Sequence, residues 1–278
     1  GNPEILTGGC YSERDRSMMT IALYGKGGIG KSTLASNIAA ALGSEGIRTI
    51  LVGCDPKADS TINLLGRRIQ PLLEVMRNEK KPPPERFTAI GFNGVVCVEI
   101  GGPEPGVGCA GRGLIIGIRY LSEMLDLEKF DLAIFDVPAD IVCGGLAVVV
   151  KEGYAERALI VTSDEFMSLY AANNLCRGFM SIGAKVGGLI YNKASKSGMR
   201  HVASFSQRVG LPILGSVPLS QEIKIAETKR KTLIEMSPFS NISSKLISLA
   251  HSIYENSFSM VPKWIPVDDL EGIFLESA

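Results

Sequence analysis

Gly25-Lys26-Gly27-Gly28-Ile29-Gly30-Lys31-Ser32-Thr33 follows a short apolar run, Thr20–Tyr24, and opens a longer amphipathic stretch, Ser32–Leu42. It satisfies G-x-x-x-x-G-K-[ST] in the strand–loop–helix setting that this phosphate-binding motif requires. The glycines let the backbone wrap an anion so that successive N–H groups point inward, and the helix N-terminus adds partial positive charge. In such a loop Lys31 reaches the β- and γ-phosphates of a nucleotide, and the Ser32 hydroxyl ligates Mg²⁺. The second lysine, Lys26, matches the deviant phosphate loops of dimeric ATPases, in which it reaches across to the nucleotide of the partner subunit.

Outward from the loop, further apolar runs recur at Thr49–Gly53, Val95–Ile100, Leu132–Asp136, Ala158–Thr162, Val186–Tyr191 and Ile213–Val217. They are continuous rather than alternating, as strands buried on both faces of a parallel sheet require. Helical candidates lie between them at Leu114–Leu125, Leu169–Ile182, Met199–Val209 and Ile242–Glu255. The expected fold is α/β: a single-domain P-loop NTPase with a doubly wound, mostly parallel sheet of about seven to eight strands and helices on both faces. Residues 1–17 read as a flexible tail, 18–258 as the ATPase domain and 259–278 as an appended arm. The proline-rich Lys80–Arg86 reads as a surface loop.

Composition narrows the function classes. The 278 residues carry 29 basic and 29 acidic side chains, so no basic excess points to nucleic acid or an acidic membrane surface. The most apolar stretch, Ile141–Val150, falls well short of the ~20 residues of a membrane span. Six cysteines are too sparse for a disulfide scaffold, which points to a cytoplasmic chain with reduced thiols. Two histidines, His201 and His251, cannot furnish a zinc or Ser/His/Asp constellation; His201 reads as a surface residue.

Two cysteines stand apart from the rest. Cys109 lies in GGPEPGVGCAGRG (101–113) and Cys143 in DVPADIVCGG (136–145), each after a strand end and before a helix. Both settings face the carboxyl edge of the sheet, and flanking glycines leave room for a bulky ligand. Two thiolates cannot complete a four-cysteine iron–sulfur site, but a two-fold homodimer contributing Cys109 and Cys143 from each subunit can. Cys54, Cys97 and Cys176 read as core residues, and Cys10 falls in the tail.

Together, GKGGIGKST, CDPKADST, GGPEPGVGCAGRG, DIVCGG and YAANN resemble, in order, the motifs of the nitrogenase iron protein family, which includes reductases of chlorophyll and methanogen nickel-tetrapyrrole biosynthesis. The resemblance spans about Thr20 to Ser237. It implies a nucleotide site built from Gly25, Lys26, Gly27, Gly28, Ile29, Gly30, Lys31, Ser32 and Thr33. Asn192 would contact adenine, and Lys57 would sit near the nucleotides at the subunit interface. It further implies that Asp55 belongs to a first switch, that Asp59 supports Mg²⁺ through water, and that Asp136 begins a second switch. Asp140 would orient the attacking water, and Arg112 would dock on the partner protein. The implied activity is ATP-dependent transfer of single electrons from a bridging [4Fe-4S] cluster to a separate catalytic protein. One MgATP would bind per subunit, and ferredoxin or flavodoxin would be the donor.

Three departures bear on the partner. Pro138-Ala139 stands where the family usually has Leu-Gly, residues 193–200 are basic, and Val217-Pro218-Leu219-Ser220 lacks the frequent Arg-Asp after proline. These favour a tetrapyrrole-reducing partner, such as the nickel-sirohydrochlorin diamide reductive cyclase, over a dinitrogen-reducing one. The alternatives are an authentic nitrogenase iron protein and, from another class, a cluster-free positioning or partition ATPase.

Overall fold

A computed structural model describes residues 18–102, 110–138 and 148–275. The chain runs β1 (Met19–Gly25), α1 (Lys31–Ser44), β2 (Thr49–Gly53), α2 (Ile62–Leu65), α3 (Leu72–Asn78), β3 (Thr88–Ile90) and β4 (Val96–Glu99). It continues through α4 (Ala110–Met124), β5 (Leu132–Asp136), α5 (Val148–Lys151), β6 (Arg157–Thr162), α6 (Phe166–Ser181), β7 (Val186–Ala194) and α7 (Met199–Val209). β8 (Ile213–Pro218), α8 (Gln221–Thr228), α9 (Leu233–Met236), α10 (Asn241–Glu255) and α11 (Val267–Leu275) complete it.

The eight strands form one sheet in the order β3-β4-β2-β5-β1-β6-β7-β8. Every pairing is parallel except that of β3 with β4. The continuous apolar runs have a direct cause. In β1, Ala22 and Tyr24 enter the core on one face while Ile21 and Leu23 enter it on the other. β5 divides likewise, Ala133 and Phe135 against Leu132 and Ile134. Helices α3, α4, α6, α7 and α11 cover the first face, and α1 and α10 cover the second. A strand sealed on both sides has no polar face to show. Each fully buried Leu or Ile contributes roughly 1.5–3 kcal/mol by leaving water.

β1 lies between β5 and β6 in the sheet interior, and the chain crosses from it in both directions. That reversal leaves a crevice beyond the carboxyl ends of the strands, where ligands of open α/β sheets bind. β4 and β5 flank β2, so the segments leaving them emerge on this same edge, one strand apart. The residues after 258 attach closely. Met260 bridges Val186, the amide side chain of Asn173 exchanges two hydrogen bonds with the Ile265 backbone, and Arg177 lies 4.8 Å over the Trp264 ring.

Candidate nucleotide and metal site

Gly25 ends β1 with φ 152°, and a β-carbon there would fall 2.4 Å from the Val161 carbonyl of β6. Gly30, with φ 100°, begins α1 without a side-chain cap, whereas α8, α9 and α10 are capped by Ser220, Thr232 and Ser240. A helix start that omits the usual hydroxyl cap leaves its first amides to serve an anion. Ile29 is buried beneath the loop, while Lys26, Gly27 and Gly28 are exposed at its crest.

Lys31 is 9% exposed, and its Nζ donates to the Gly25 carbonyl at 3.0 Å, so the ammonium is folded back over the loop. Asp136, at the end of β5, is buried and receives hydrogen bonds from Ser32 and from Ser60 Oγ, the latter at 2.7 Å. Burial pushes its carboxyl above the usual range, while the two hydroxyls and the Lys31 charge pull it back. A buried carboxylate, a hydroxyl and an ammonium converging at the end of a phosphate loop suit Mg²⁺ and a polyphosphate.

The segment after β2 closes over this group. Asp55 Oδ1 accepts from the Lys57 backbone N–H at 2.9 Å, and Ala58 takes a positive φ of 50°. Asp59 is half-buried and Lys57 is exposed. Asn192 lies within β7, which continues to Ala194, and its Nδ2 donates to the Ile29 carbonyl at 2.7 Å. Thr33 Oγ1 donates to Glu227 of α8. Arg112 is exposed on the first turn of α4, directly after the Cys109 segment. Cys109, Cys143, Asp140 and Cys10 lie outside the described residues.

Three groups that sequence reasoning did not single out complete the setting. Glu99 ends β4 fully buried, with both of its hydrogen bonds to Thr61. Glu227 reaches the loop from 194 residues away. Lys193 sits at a bulge in β7 with φ 53°, and its Nζ donates to the Gly28 carbonyl at 2.8 Å. A bulge at a strand end redirects one side chain; here it adds a cation behind the loop. Lys193→Ser is expected to weaken ATP binding about fivefold, ~1 kcal/mol for an exposed charged hydrogen bond. Calorimetric titration tests this, and an unchanged affinity would assign Lys193 no part in the site.

Burial pushes Glu99 up to about 7, further raised by Asp136 and Asp59 and opposed by the two Thr61 donors. Below the unfolded carboxyl value both states hold the proton. Above it the unfolded chain ionises first, so stability falls with rising pH until the folded group ionises near pH 7. In the nucleotide-free protein, Glu99→Gln is expected to shrink the loss between pH 5 and pH 8 by up to ~3 kcal/mol. Parallel urea titrations at the two pH values check this; equal losses in both proteins would refute it.

The described cysteines behave as core. Cys54, Cys97 and Cys176 are buried, and burial pushes the last two thiols up to about 12 and Cys54 well above its ordinary value. Among the described residues no cluster of three or more His, Cys, Asp or Glu side chains is placed to hold a metal ion. His201, expected at the surface, is half-buried. Its ring lies tilted against Phe274 with centroids 4.5 Å apart, and its Nε2 is buried with no hydrogen-bond partner among the described residues.

An eight-stranded doubly wound sheet with this phosphate loop defines a P-loop ATPase of the deviant Walker type. Solved structures share the architecture. A chain of a MinC:MinD cell division protein complex from Aquifex aeolicus superposes with TM-score 0.69 and 20% identity, covering 86% of this chain and 97% of that one. A ParA family ATPase from Chlorobium tepidum superposes with TM-score 0.67 and 19% identity, covering 84% and 99%. At such identities the likeness is one of fold.

The family profile described as "4Fe-4S iron sulfur cluster binding proteins, NifH/frxC family" matches residues 19–278, and the chain belongs to that family. Nitrogenase iron protein 2 of Methanothermobacter thermautotrophicus is 44% identical over 259 residues, 92% of this chain and 97% of that protein. Nitrogenase iron protein 2 of Methanothermococcus thermolithotrophicus is 44% identical over 276 residues, 91% and 94%. The match takes in the residues after Ser237 that the motif resemblance left out. No helix among the described residues is long and apolar enough to cross a membrane.

Proposed function

We propose that this protein is an ATP-dependent iron–sulfur reductase of the nitrogenase iron protein kind. It works as a homodimer with one MgATP per subunit and one [4Fe-4S] cluster held by Cys109 and Cys143 of both. The observation that carries the reading is the family match across residues 19–278, which includes both glycine-rich cysteine segments. When bound, the cluster supplies one-electron redox chemistry.

The chain's own residues do the rest. Lys31 and the loop amides hold the phosphates, Ser32 and Asp136 hold Mg²⁺ with Asp59 behind a water, and Asp140 orients the attacking water. Phosphoryl transfer needs positioning and charge neutralisation rather than covalent chemistry, and this donor set supplies both. Lys26 and Lys57 act across the dimer, Asn192 faces the base, and Arg112 meets the catalytic protein that accepts the electron. Ferredoxin or flavodoxin is the donor. The names of the relatives favour a nitrogenase-type catalytic protein as the acceptor.

Anaerobic purification followed by iron analysis and a visible spectrum tests the reading. About four irons per dimer and broad absorbance near 400 nm are expected for one bridging cubane. An iron-free dimer that still hydrolyses ATP would leave the cluster-free partition-type ATPase, whose fold and Lys26-type loop are the same.

A further inference from the structure

Gly53 and Glu99 are partners in the β2–β4 register, and the Glu99 side chain crosses over Gly53 to reach Thr61. Only glycine allows that path, because a β-carbon at Gly53 would fall 1.9 Å from Glu99 Oε2. Oε1 accepts from the Thr61 N–H and hydroxyl, each at 2.7 Å, while Oε2 is buried with no hydrogen-bond partner among the described residues. An unpartnered buried carboxylate oxygen is costly, so this crossing is retained against its own desolvation. The residue before Thr61 makes the matching contact on the other side: Ser60 Oγ donates to Asp136 at the end of β5. Neighbouring residues therefore grip the ends of the two strands that flank β2. The exits are packed as closely. A β-carbon on Gly102 would fall 2.6 Å from Pro56, and the Cys54 N–H donates to the Asp136 carbonyl.

We propose that Ser60-Thr61 is a two-armed pivot, with Glu99 the positioning residue through which the first switch moves the chain leaving β4 while Asp136 serves the chain leaving β5. Cys109 follows Glu99 by ten residues and Cys143 follows Asp136 by seven. One displacement of the segment 54–61 by nucleotide would then reach both cysteine segments together. A symmetric four-cysteine site moves without distortion only when its two ligand segments move in step. This inference rests on the proposed ATP-driven reading of the first switch.

Hydrogen–deuterium exchange of the full-length protein, with and without MgATP, tests it through peptides covering 54–66, 101–113 and 136–148. The native chain is expected to respond in all three. Glu99→Ala should lose most of the 101–113 response, roughly fivefold or more for a broken buried hydrogen-bond pair, while 136–148 still responds. Glu99→Gln, which keeps the acceptor for Thr61, should restore it. If the alanine variant does not fold, Thr61→Val removes one donor and should reduce the same response selectively. An undiminished 101–113 response in Glu99→Ala or Thr61→Val overturns the proposal, as does equal loss in both segments. A native chain silent at 101–113 but responsive at 54–66 defeats the pivot alone. Silence at 54–66 defeats the ATP-switch reading with it.

Discussion

Lys31→Ala should leave a folded protein with no measurable MgATP binding, a loss of at least ~100-fold, or about 3 kcal/mol. Two effects add. The ammonium that neutralises the phosphates is gone, and it is worth most here because Lys31 is nearly buried. Its removal also strips Asp136 of the nearby positive charge that opposes burial, so that carboxyl rises further and becomes a poorer Mg²⁺ ligand. Replacing Lys31 with arginine keeps the charge but not the fit, since the planar guanidinium cannot fold back onto the Gly25 carbonyl as Nζ does. Calorimetry with ATP, alongside a thermal melt to verify folding, provides the measurement. A dissociation constant within about threefold of the native one, less than ~1 kcal/mol, would remove Lys31 from the phosphate site.

Serine at Cys109 or Cys143 should abolish iron retention in the dimer, because a hydroxyl does not replace a soft thiolate on iron. The informative controls are the buried thiols. Serine at Cys54, Cys97 or Cys176 should keep the full complement of iron and lower stability by roughly 1–3 kcal/mol, the cost of burying a hydroxyl in an apolar site. All three are at most 2% exposed, and none belongs to a metal-binding cluster among the described residues. Iron and sulfide analysis after anaerobic reconstitution separates the two groups. Four irons per dimer in either Cys109→Ser or Cys143→Ser would rule out the bridging assignment.

What the sequence disclosed follows the range of the interactions involved. The phosphate loop is contiguous, and β2, β5 and α7 fall on the residues their apolar patterns predict, because each buries a local periodic surface. β3 escaped notice because Thr88, Ala89 and Ile90 form a three-residue edge strand, and Ile90 is 77% exposed. α8 escaped because Gln221-Glu222-Ile223-Lys224 is mostly polar, its place fixed by the Ser220 cap. Around the site, the Lys31 and Ser32 positions were plain, but the Thr61–Glu99 bond joins residues 38 apart and the Thr33–Glu227 bond residues 194 apart. Neither pairing leaves a local pattern. Lys193 reads as one cation in a basic loop until the bulge in β7 turns it toward Gly28.

The packing after residue 258 has a bearing on how the protein is made. Phe274 lies tilted against His201 and meets Phe166 edge-on, while Leu270 and Ile273 are buried in the layer over α6 and α7. Every strand of the sheet is synthesised before these residues leave the ribosome. During that interval the nascent chain carries an uncovered aromatic and aliphatic face, the kind of surface that chaperones hold and that drives aggregation when they are scarce. Recombinant yield should therefore respond to slower translation or lower induction temperature more than the even charge balance would suggest. A bulky fusion placed close behind Phe274 would prolong the vulnerable interval.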